Sequence, residues 1–185
     1  MLSRRDLMLG LAAAAKPAAG AGFGLGNYGL KPLSAVDAVR LIHRIGYDAV
    51  EFTMMPGWPT EPKVASKALR GELRALVKEL GLQTPALLEQ IPLMADHAAN
   101  LERIKRDAEF ANDVSPDRPP IVQTHLGGKH SDWEGQKNQV VERLRSWAET
   151  GRSLKTVIAI KGHNLNLMDT AERPIEIFDC PAKLD

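Results

Sequence analysis

The chain has 185 residues, of which 44% are hydrophobic and 25% are charged, as in an ordinary globular protein with one buried core. Its formal net charge of +1, with basic and acidic residues interspersed, gives no electrostatic case for a nucleic-acid partner. The single cysteine, Cys180, excludes an internal disulfide framework and a cysteine-rich zinc site.

The first 21 residues have the layout of an export signal. Arg4 and Arg5 precede an apolar run at residues 7–15, which is too short to span a bilayer. The paired arginines resemble a twin-arginine signal, and a frayed amphipathic helix is the alternative. We therefore expect export to the periplasm with loss of residues 1–21, no stable membrane anchor, and a single domain at residues 22–185.

After residue 21, short apolar runs alternate with amphipathic stretches of helical periodicity. The apolar runs predict strands near residues 23–30, 47–53, 82–88, 119–125 and 156–163. The periodic stretches predict helices at residues 34–45, 67–80, 100–112, 136–150 and 170–178. Ser34 is the expected N-cap of the first helix and Gly46 its expected end. This alternation requires a parallel sheet, either an open doubly wound sheet or the leading part of an eight-stranded β/α barrel.

Polar side chains stand at the ends of several predicted strands, where ligands bind in both architectures. Side chains two positions apart on a strand share a face, which pairs Glu51 with Thr53, Gln123 with His125, and Lys161 with His163. A carboxylate or histidine can remove a proton beside a carbonyl, and a lysine or divalent ion can stabilise the resulting oxyanion. The pattern therefore favours proton transfer on a polyol or keto-sugar.

The candidate roles follow from residue type. His125, Lys161 and His163 are candidate catalytic residues, while Glu51 and Gln123 are candidate substrate contacts. Four residues are candidate ligands of Mn²⁺, Mg²⁺ or Zn²⁺, without a diagnostic spacing: Glu51, His125, His163 and Asp185.

Two tryptophans, Trp58 and Trp133, follow strand ends. They either wall a sugar pocket as substrate contacts or pack over the barrel mouth.

The segment Gly24-Leu-Gly-Asn-Tyr-Gly29 matches the G-x-G-x-x-G dinucleotide pattern. That pattern requires a strand before it and a helix directly after it, whereas here the signal precedes it and Lys31-Pro32 follows. We interpret these glycines as a first strand and turn with close backbone approach. A nicotinamide-dependent oxidoreductase domain is the alternative.

Four phrases carry a resemblance to a known family: SAVDAVRLIHRIGYDAVEF, LRGELRALVKELGLQTPAL, IVQTHLGG and VIAIKGHNLNLMDTAERPIEIF. In these, and over most of residues 23–185, the chain resembles the sugar phosphate isomerase/epimerase family of xylose-isomerase-like TIM barrels. The resemblance implies a TIM-type (β/α) barrel, here with about five βα units and the start of a sixth strand. It also implies a divalent metal held by acidic and histidine residues at strand ends.

The chain departs from the family at the fifth strand. The family usually has Glu-x-His there, whereas this sequence has Lys161-Gly162-His163. Asp185 matches the family's acidic ligand at the sixth strand. Because an ammonium group only donates hydrogen bonds, either the metal is lost or Lys161 supplies part of its charge.

The resemblance implies an isomerase or epimerase acting on a sugar or sugar phosphate, through proton transfer next to a carbonyl. The alternative is a non-catalytic exported sugar-binding module, or an inactive fragment of the same fold. An eight-unit barrel takes at least about 200 residues, more than residues 22–185 provide. We therefore expect an incomplete barrel from a truncated or partial chain, whose exposed sheet edges favour a homodimer.

Overall fold

The protein is represented by a computed structural model that describes residues 22–178. The predicted export signal, Cys180 and Asp185 lie outside these residues. Five strands are present: β1 (Gly24–Gly26), β2 (Ala49–Thr53), β3 (Ala86–Gln90), β4 (Ile121–His125) and β5 (Ile158–Ile160). The α-helices are α1 (Ala35–Ile45), α2 (Lys67–Glu79), α3 (His97–Val114), α4 (Trp133–Ser153) and α5 (Glu172–Phe178). Short 3-10 helices span Asn27–Leu30 and His130–Asp132.

The order of the strands decides between the two predicted architectures. All neighbouring strands are parallel, and they lie side by side in chain order from β1 to β5. A doubly wound sheet would reverse this order at a switch point, whereas a barrel winds in one direction. The predicted incomplete TIM-type barrel is therefore confirmed, with β1 and β5 as the sheet edges within the described residues.

The first helix begins and ends at its predicted residues. The Ser34 side chain accepts a hydrogen bond from the Asp37 amide at 3.1 Å, which satisfies a free N–H at the helix start. Gly46 closes the helix at φ 103°, a left-handed conformation that favours glycine.

Three strands differ clearly from their predicted bounds. The fifth spans only Ile158–Ile160 of the predicted residues 156–163, so Lys161 and His163, which were predicted on one face of that strand, lie in the loop after it. The differences in the first and third strands have identifiable reasons. The first strand stops at Gly26 because the Asn27 side chain takes over pairing and accepts the Thr53 amide at 2.7 Å. The third strand lies after Pro85, not around it, because proline has no N–H for a sheet ladder. Its buried Glu89 is satisfied by Arg103 from α3, a partner that local sequence periodicity does not reveal.

Alternation along the strands separates a helix-covered face from an inner face. Val50, Phe52, Leu87 and Val122 are fully buried against the helices and belong to one hydrophobic cluster. A second cluster, which includes Ile104, Trp133 and Trp147, lies under α3, α4 and α5. The inner face carries the polar strand-end residues described below. None of the helices in residues 22–178 is long and apolar enough to cross a bilayer.

A wide apolar groove of about 730 Å³ lies beside β5. It is lined mainly by side chains of α4, β5 and α5: Leu144, Trp147, Val157, Ile158, Ile160 and Ile177. An apolar surface is therefore accessible beside β5, the last strand of the described residues.

Candidate active site at the strand ends

The sheet register brings polar residues from three strands to the inner face. Gly26 is in register with Glu51, and Gln123 with Ala159, which precedes Lys161 by two positions. The Gln123 side chain donates a hydrogen bond from Nε2 to Glu51 Oε1 at 3.3 Å, although these residues lie on strands separated by β3. A contact between strands that are not neighbours requires the sheet to curve around this face.

Gly26 leaves space for the Glu51 carboxylate. A Cβ atom at Gly26 would lie 3.0 Å from Glu51 Oε2, and one at Gly24 would lie 3.3 Å from Ala49 Cβ. The last glycine of the pattern, Gly29, lies within the 3-10 helix Asn27–Leu30, and α1 begins only at Ala35. Gly24 and Gly26 therefore serve close strand approach, as predicted, whereas a Cβ atom at Gly29 would meet no atom within 4 Å. The dinucleotide arrangement of strand, turn and immediate helix is not present in this segment.

His125 and His163 form a stacked pair. Their ring centroids are 4.9 Å apart and their planes differ by 29°. His125 ends β4, whereas His163 comes from the loop after β5 and donates its backbone N–H to Met168 O at 3.0 Å. Side chains that are 38 positions apart in sequence thus meet at the carboxyl ends of adjacent parallel strands.

Lys161 lies directly after β5, and its backbone N–H donates to Thr124 O at 2.8 Å, which extends the β4–β5 ladder by one residue. Its side chain is exposed. Its positive charge lies close enough to lower the pKa of His125 and to oppose the rise that burial causes in the pKa of Glu51.

The titration of the cluster follows from burial and these charges. Burial raises the pKa of Glu51 above its ordinary value, and the nearby Lys161 ammonium opposes part of that rise. Burial lowers the pKa of His125, and the charges of His163 and Lys161 lower it further. A histidine with a lowered pKa is neutral at pH 7, the form that can accept a proton.

Asn166 is a member of the cluster that sequence patterns did not identify. Its Nδ2 atom lies 3.4 Å from Nδ1 of His125, so the amide contacts the edge of the ring. The signal available in the sequence was the second asparagine in His163-Asn-Leu-Asn166, but only the turn of this loop shows which asparagine reaches His125.

The two tryptophans occupy different environments. Trp58 stacks on Tyr28 with ring centroids 5.2 Å apart, and Lys31 Nζ lies 3.9 Å from its ring centroid. This partly exposed group stands where the β1 and β2 connections meet.

Trp133 begins α4 and is only 3% exposed. It belongs to the second hydrophobic cluster and donates from Nε1 to Glu176 at 3.2 Å. The structure thus places Trp133 in the packing role, the second of the two roles that the sequence left open.

The described residues do not by themselves form a site for a divalent ion. Within residues 22–178, no group of three or more His, Cys, Asp or Glu side chains is arranged to hold a metal. Lys161 also places a positive charge near Glu51, which disfavours a cation there. The other predicted ligand, Asp185, lies outside the described residues.

The arrangement combines three capabilities on one face of the sheet. The histidine pair can exchange protons, and the Lys161 ammonium can stabilise a developing negative charge. The Glu51–Gln123 pair and Asn166 offer hydrogen-bonding groups for substrate hydroxyls. Together these groups are of the types that proton transfer beside a carbonyl uses.

Comparison with models of protein families gives no match, and neither does comparison with curated protein sequences. Solved structures do match. The chain is similar to the probable 3-DHS dehydratase AsbF of petrobactin synthesis from Bacillus anthracis, with a TM-score of 0.71 and 20% identity over 86% of this chain and 58% of that one.

Two further structures match at lower scores. A D-tagatose 3-epimerase-like protein matches with a TM-score of 0.61 and 14% identity, over 86% of this chain and 61% of that one. A xylose isomerase-like TIM barrel protein from Mycobacterium smegmatis, solved in complex with magnesium, matches with a TM-score of 0.65 and 13% identity, over 88% of this chain and 61% of that one. The chain therefore spans about three fifths of the length of these proteins, and it shares their fold.

Proposed function

We propose that the chain is an isomerase- or epimerase-like protein that moves a proton next to the carbonyl of a sugar or related polyol. The observation that carries this proposal is the stacked pair of His125 and His163 beside Lys161 on the inner face of the sheet. Two of the similar structures are described as a probable 3-DHS dehydratase and as a D-tagatose 3-epimerase-like protein, which supports this class of chemistry. Because the chain spans about three fifths of those proteins, the activity of the whole protein is part of the proposal.

Each residue has a defined role in the proposed reaction. Neutral His125 removes the proton from the carbon beside the carbonyl, and the electron pair moves onto the carbonyl oxygen to give an enediolate. The Lys161 ammonium stabilises that oxygen. In an epimerisation, His163 donates a proton to the opposite face of the same carbon while the electron pair on the oxygen re-forms the carbonyl. In an isomerisation, His163 donates the proton to the neighbouring carbon, and the hydroxyl proton moves from the second oxygen, which becomes the new carbonyl, to the first. Glu51 and Gln123 hold substrate hydroxyls through their free lone pairs and N–H groups.

Proton exchange in D₂O tests the proposal across a range of sugars. The purified chain is incubated with a panel of ketoses, aldoses and their phosphates, and loss of the proton beside the carbonyl is followed by NMR. We expect exchange with at least one sugar, and loss of that exchange in His125→Gln. Sugar binding without any exchange would instead support the exported sugar-binding module. If the chain shows no sugar binding and no exchange, both proposed functions are overturned.

A divalent ion is a separate part of the proposal. Asp185 would have to join Glu51 and His163, because the described residues alone do not provide three ligands. Calorimetric titration with Mn²⁺, Mg²⁺ and Zn²⁺, compared between the native chain and Asp185→Asn, tests this ligand set. Equal binding by both proteins would remove Asp185 from it.

We also propose that residues 1–21 direct export by the twin-arginine route. Fusion of these residues to a reporter that is active only in the periplasm tests the signal. Replacement of both Arg4 and Arg5 by lysine should abolish export, and unchanged export would contradict the proposal.

A further inference from the structure

The stacking of His125 and His163 requires an explanation, because only His125 is held by the sheet. β5 ends at Ile160, and His163 reaches the pair from the following loop, residues 161–171. This loop contains Leu165, which is 70% exposed and has φ 64°, a left-handed backbone conformation that residues other than glycine rarely adopt. A loop in that conformation must be held by its surroundings.

The loop is joined to the connection after β4 by backbone hydrogen bonds. Leu167 donates its N–H to Gly127 O at 2.9 Å, and His130 donates its N–H to Leu165 O at 3.1 Å. A Cβ atom at Gly128 would lie 2.5 Å from Leu167 Cγ, so the two connections approach closely. The two histidines therefore depend on how these connections are fixed to each other.

Arg173, at the start of α5, binds both connections at once. Its Nη1 atom donates to Leu167 O at 2.9 Å and to Asp169 Oδ1 at 2.6 Å, while Nη2 donates to His130 O at 3.0 Å. The same Nη1 lies 3.4 Å from Asn166 O, in the residue whose side chain contacts His125. One guanidinium thus links the turn that carries His163 and Asn166 to the turn that follows His125.

The surroundings of Arg173 fix its position. The residue is 7% exposed, and its guanidinium carbon lies 5.2 Å from the Trp133 ring centroid. Asp169 accepts from Arg173 through one carboxylate oxygen, and its other oxygen lies 2.7 Å from His130 Nδ1. A planar guanidinium can satisfy several acceptors in fixed directions, which a lysine ammonium at the same place could not do as well.

We propose that Arg173 is the positioning residue of the His125–His163 pair. It does not contact either ring but holds the two connections that bring the rings together. Its catalytic consequence rests on the proposed proton-transfer function, whereas its effect on ring geometry does not.

Ring-to-ring NMR contacts test this proposal in the absence of substrate. In protein with labelled histidines, we expect a cross-relaxation signal between the ring protons of His125 and His163. The signal should be lost in Arg173→Met and weakened in Arg173→Lys. Arg40→Met, which removes an exposed arginine from α1, should leave it unchanged.

A second variant keeps the test decisive if Arg173→Met does not fold. Asp169→Asn removes the carboxylate that Arg173 and His130 share, and it should weaken the same signal in a folded chain. A full-strength signal in Asp169→Asn and in any folded Arg173 variant would overturn the proposal.

The catalytic consequence is measured separately. If the native chain exchanges protons in D₂O, Arg173→Met should lower kcat by about 10²-fold with a smaller change in KM, because misplaced catalytic groups mainly affect the chemical step. Loss of ring contact in a protein that shows no exchange would support the positioning role and contradict the proposed function. Unchanged kcat and an unchanged ring signal in an active variant would contradict the positioning role alone.

Discussion

Lys161 and His163 follow an apolar strand on the side of the sheet where His125 and Glu51 already lie. Such polar ends contribute little to the stability of a strand, since their side chains are exposed. They do concentrate charge and proton-accepting groups at one place. At the scale of single residues, Lys161 is the main departure from the resembled family, because it places an ammonium group where that family usually has a carboxylate metal ligand.

Replacement of Lys161 by methionine should abolish most of the proposed activity. The change removes the charge that stabilises the oxyanion, and loss of one such group typically costs about 10²- to 10³-fold in kcat. The measurement is the rate of proton exchange in D₂O for Lys161→Met. Lys78→Met, on the exposed side of α2, is the matched control and should keep full activity. Equal rates in both variants would remove Lys161 from the mechanism.

The pH dependence of exchange should report on His125. Burial and the charges of His163 and Lys161 lower its pKa below the ordinary value of 6.5, so the neutral base is present at a lower pH than for a free histidine. The rate should therefore rise with pH and reach its plateau with an apparent pKa below 6.5. Because the two rings interact, this apparent pKa belongs to the pair. Removing the Lys161 charge in Lys161→Met should move the rise in the remaining exchange rate to higher pH. A rise with an apparent pKa above 6.5 in the native chain would contradict the assignment of His125 as the base.

At the scale of secondary structure, the sequence predicted those features whose causes are local. The bounds of α1 follow from Ser34 and Gly46, which are residues of the helix ends themselves. The strand β1 and the loop after β5 could not be predicted in the same way. Their conformations depend on Asn27 binding Thr53 and on Arg173 binding His130 O, contacts between residues 26 and 43 positions apart.

The contact between β3 and α3 includes a buried carboxyl group that has no hydrogen-bond partner within residues 22–178. Asp107 is fully buried in the wall of a cavity of about 210 Å³, and neither of its oxygens has a hydrogen-bond partner among the described residues. The neighbouring Glu89 is paired with Arg103 at 2.6 Å. Burial and the Glu89 charge raise the pKa of Asp107 well above its ordinary value. This carboxyl group therefore binds a proton more tightly in the folded than in the unfolded chain.

Replacement of Asp107 by asparagine should stabilise the protein at neutral pH. A raised pKa in the folded state means that the contribution of Asp107 to stability is present below its unfolded pKa of about 3.9 and is lost as pH rises. Removing the ionisable group should increase the free energy of unfolding by on the order of 1–3 kcal/mol at pH 7.5, and by less at pH 4.5.

Urea unfolding at both pH values measures this effect. Asp117→Asn, in the exposed loop before β4, is the matched control and should show no comparable gain. An equal gain at both pH values, or a loss at pH 7.5, would contradict the proposed protonation of Asp107.

At the scale of the whole molecule, alternation of strands and helices predicted a parallel sheet, and the family resemblance favoured the barrel over the doubly wound arrangement. Side-chain parity at the strand ends predicted which polar residues share a face. Glu51, Gln123 and His125 share the inner face because parity in a strand is fixed by backbone geometry. The packing of Trp133 and the contribution of Asn166 depend on how loops return to the sheet, and residue spacing along the chain does not encode this.

The two sheet edges predict self-association of this 185-residue chain. Within residues 22–178, β5 has no neighbour on the side away from β4, and the apolar groove of about 730 Å³ lies along it. An unpaired strand edge beside an apolar surface favours pairing with another chain, and the edge of β1 in a second copy would continue the parallel sheet.

We therefore expect the mean mass in analytical ultracentrifugation to increase with protein concentration. Val157→Lys places a charge in the groove and should shift the protein toward monomer. Val64→Lys, at an equally exposed valine in the loop after β2, should not. A native chain that stays monomeric, or equal association in both variants, would show that β5 is not the contact surface.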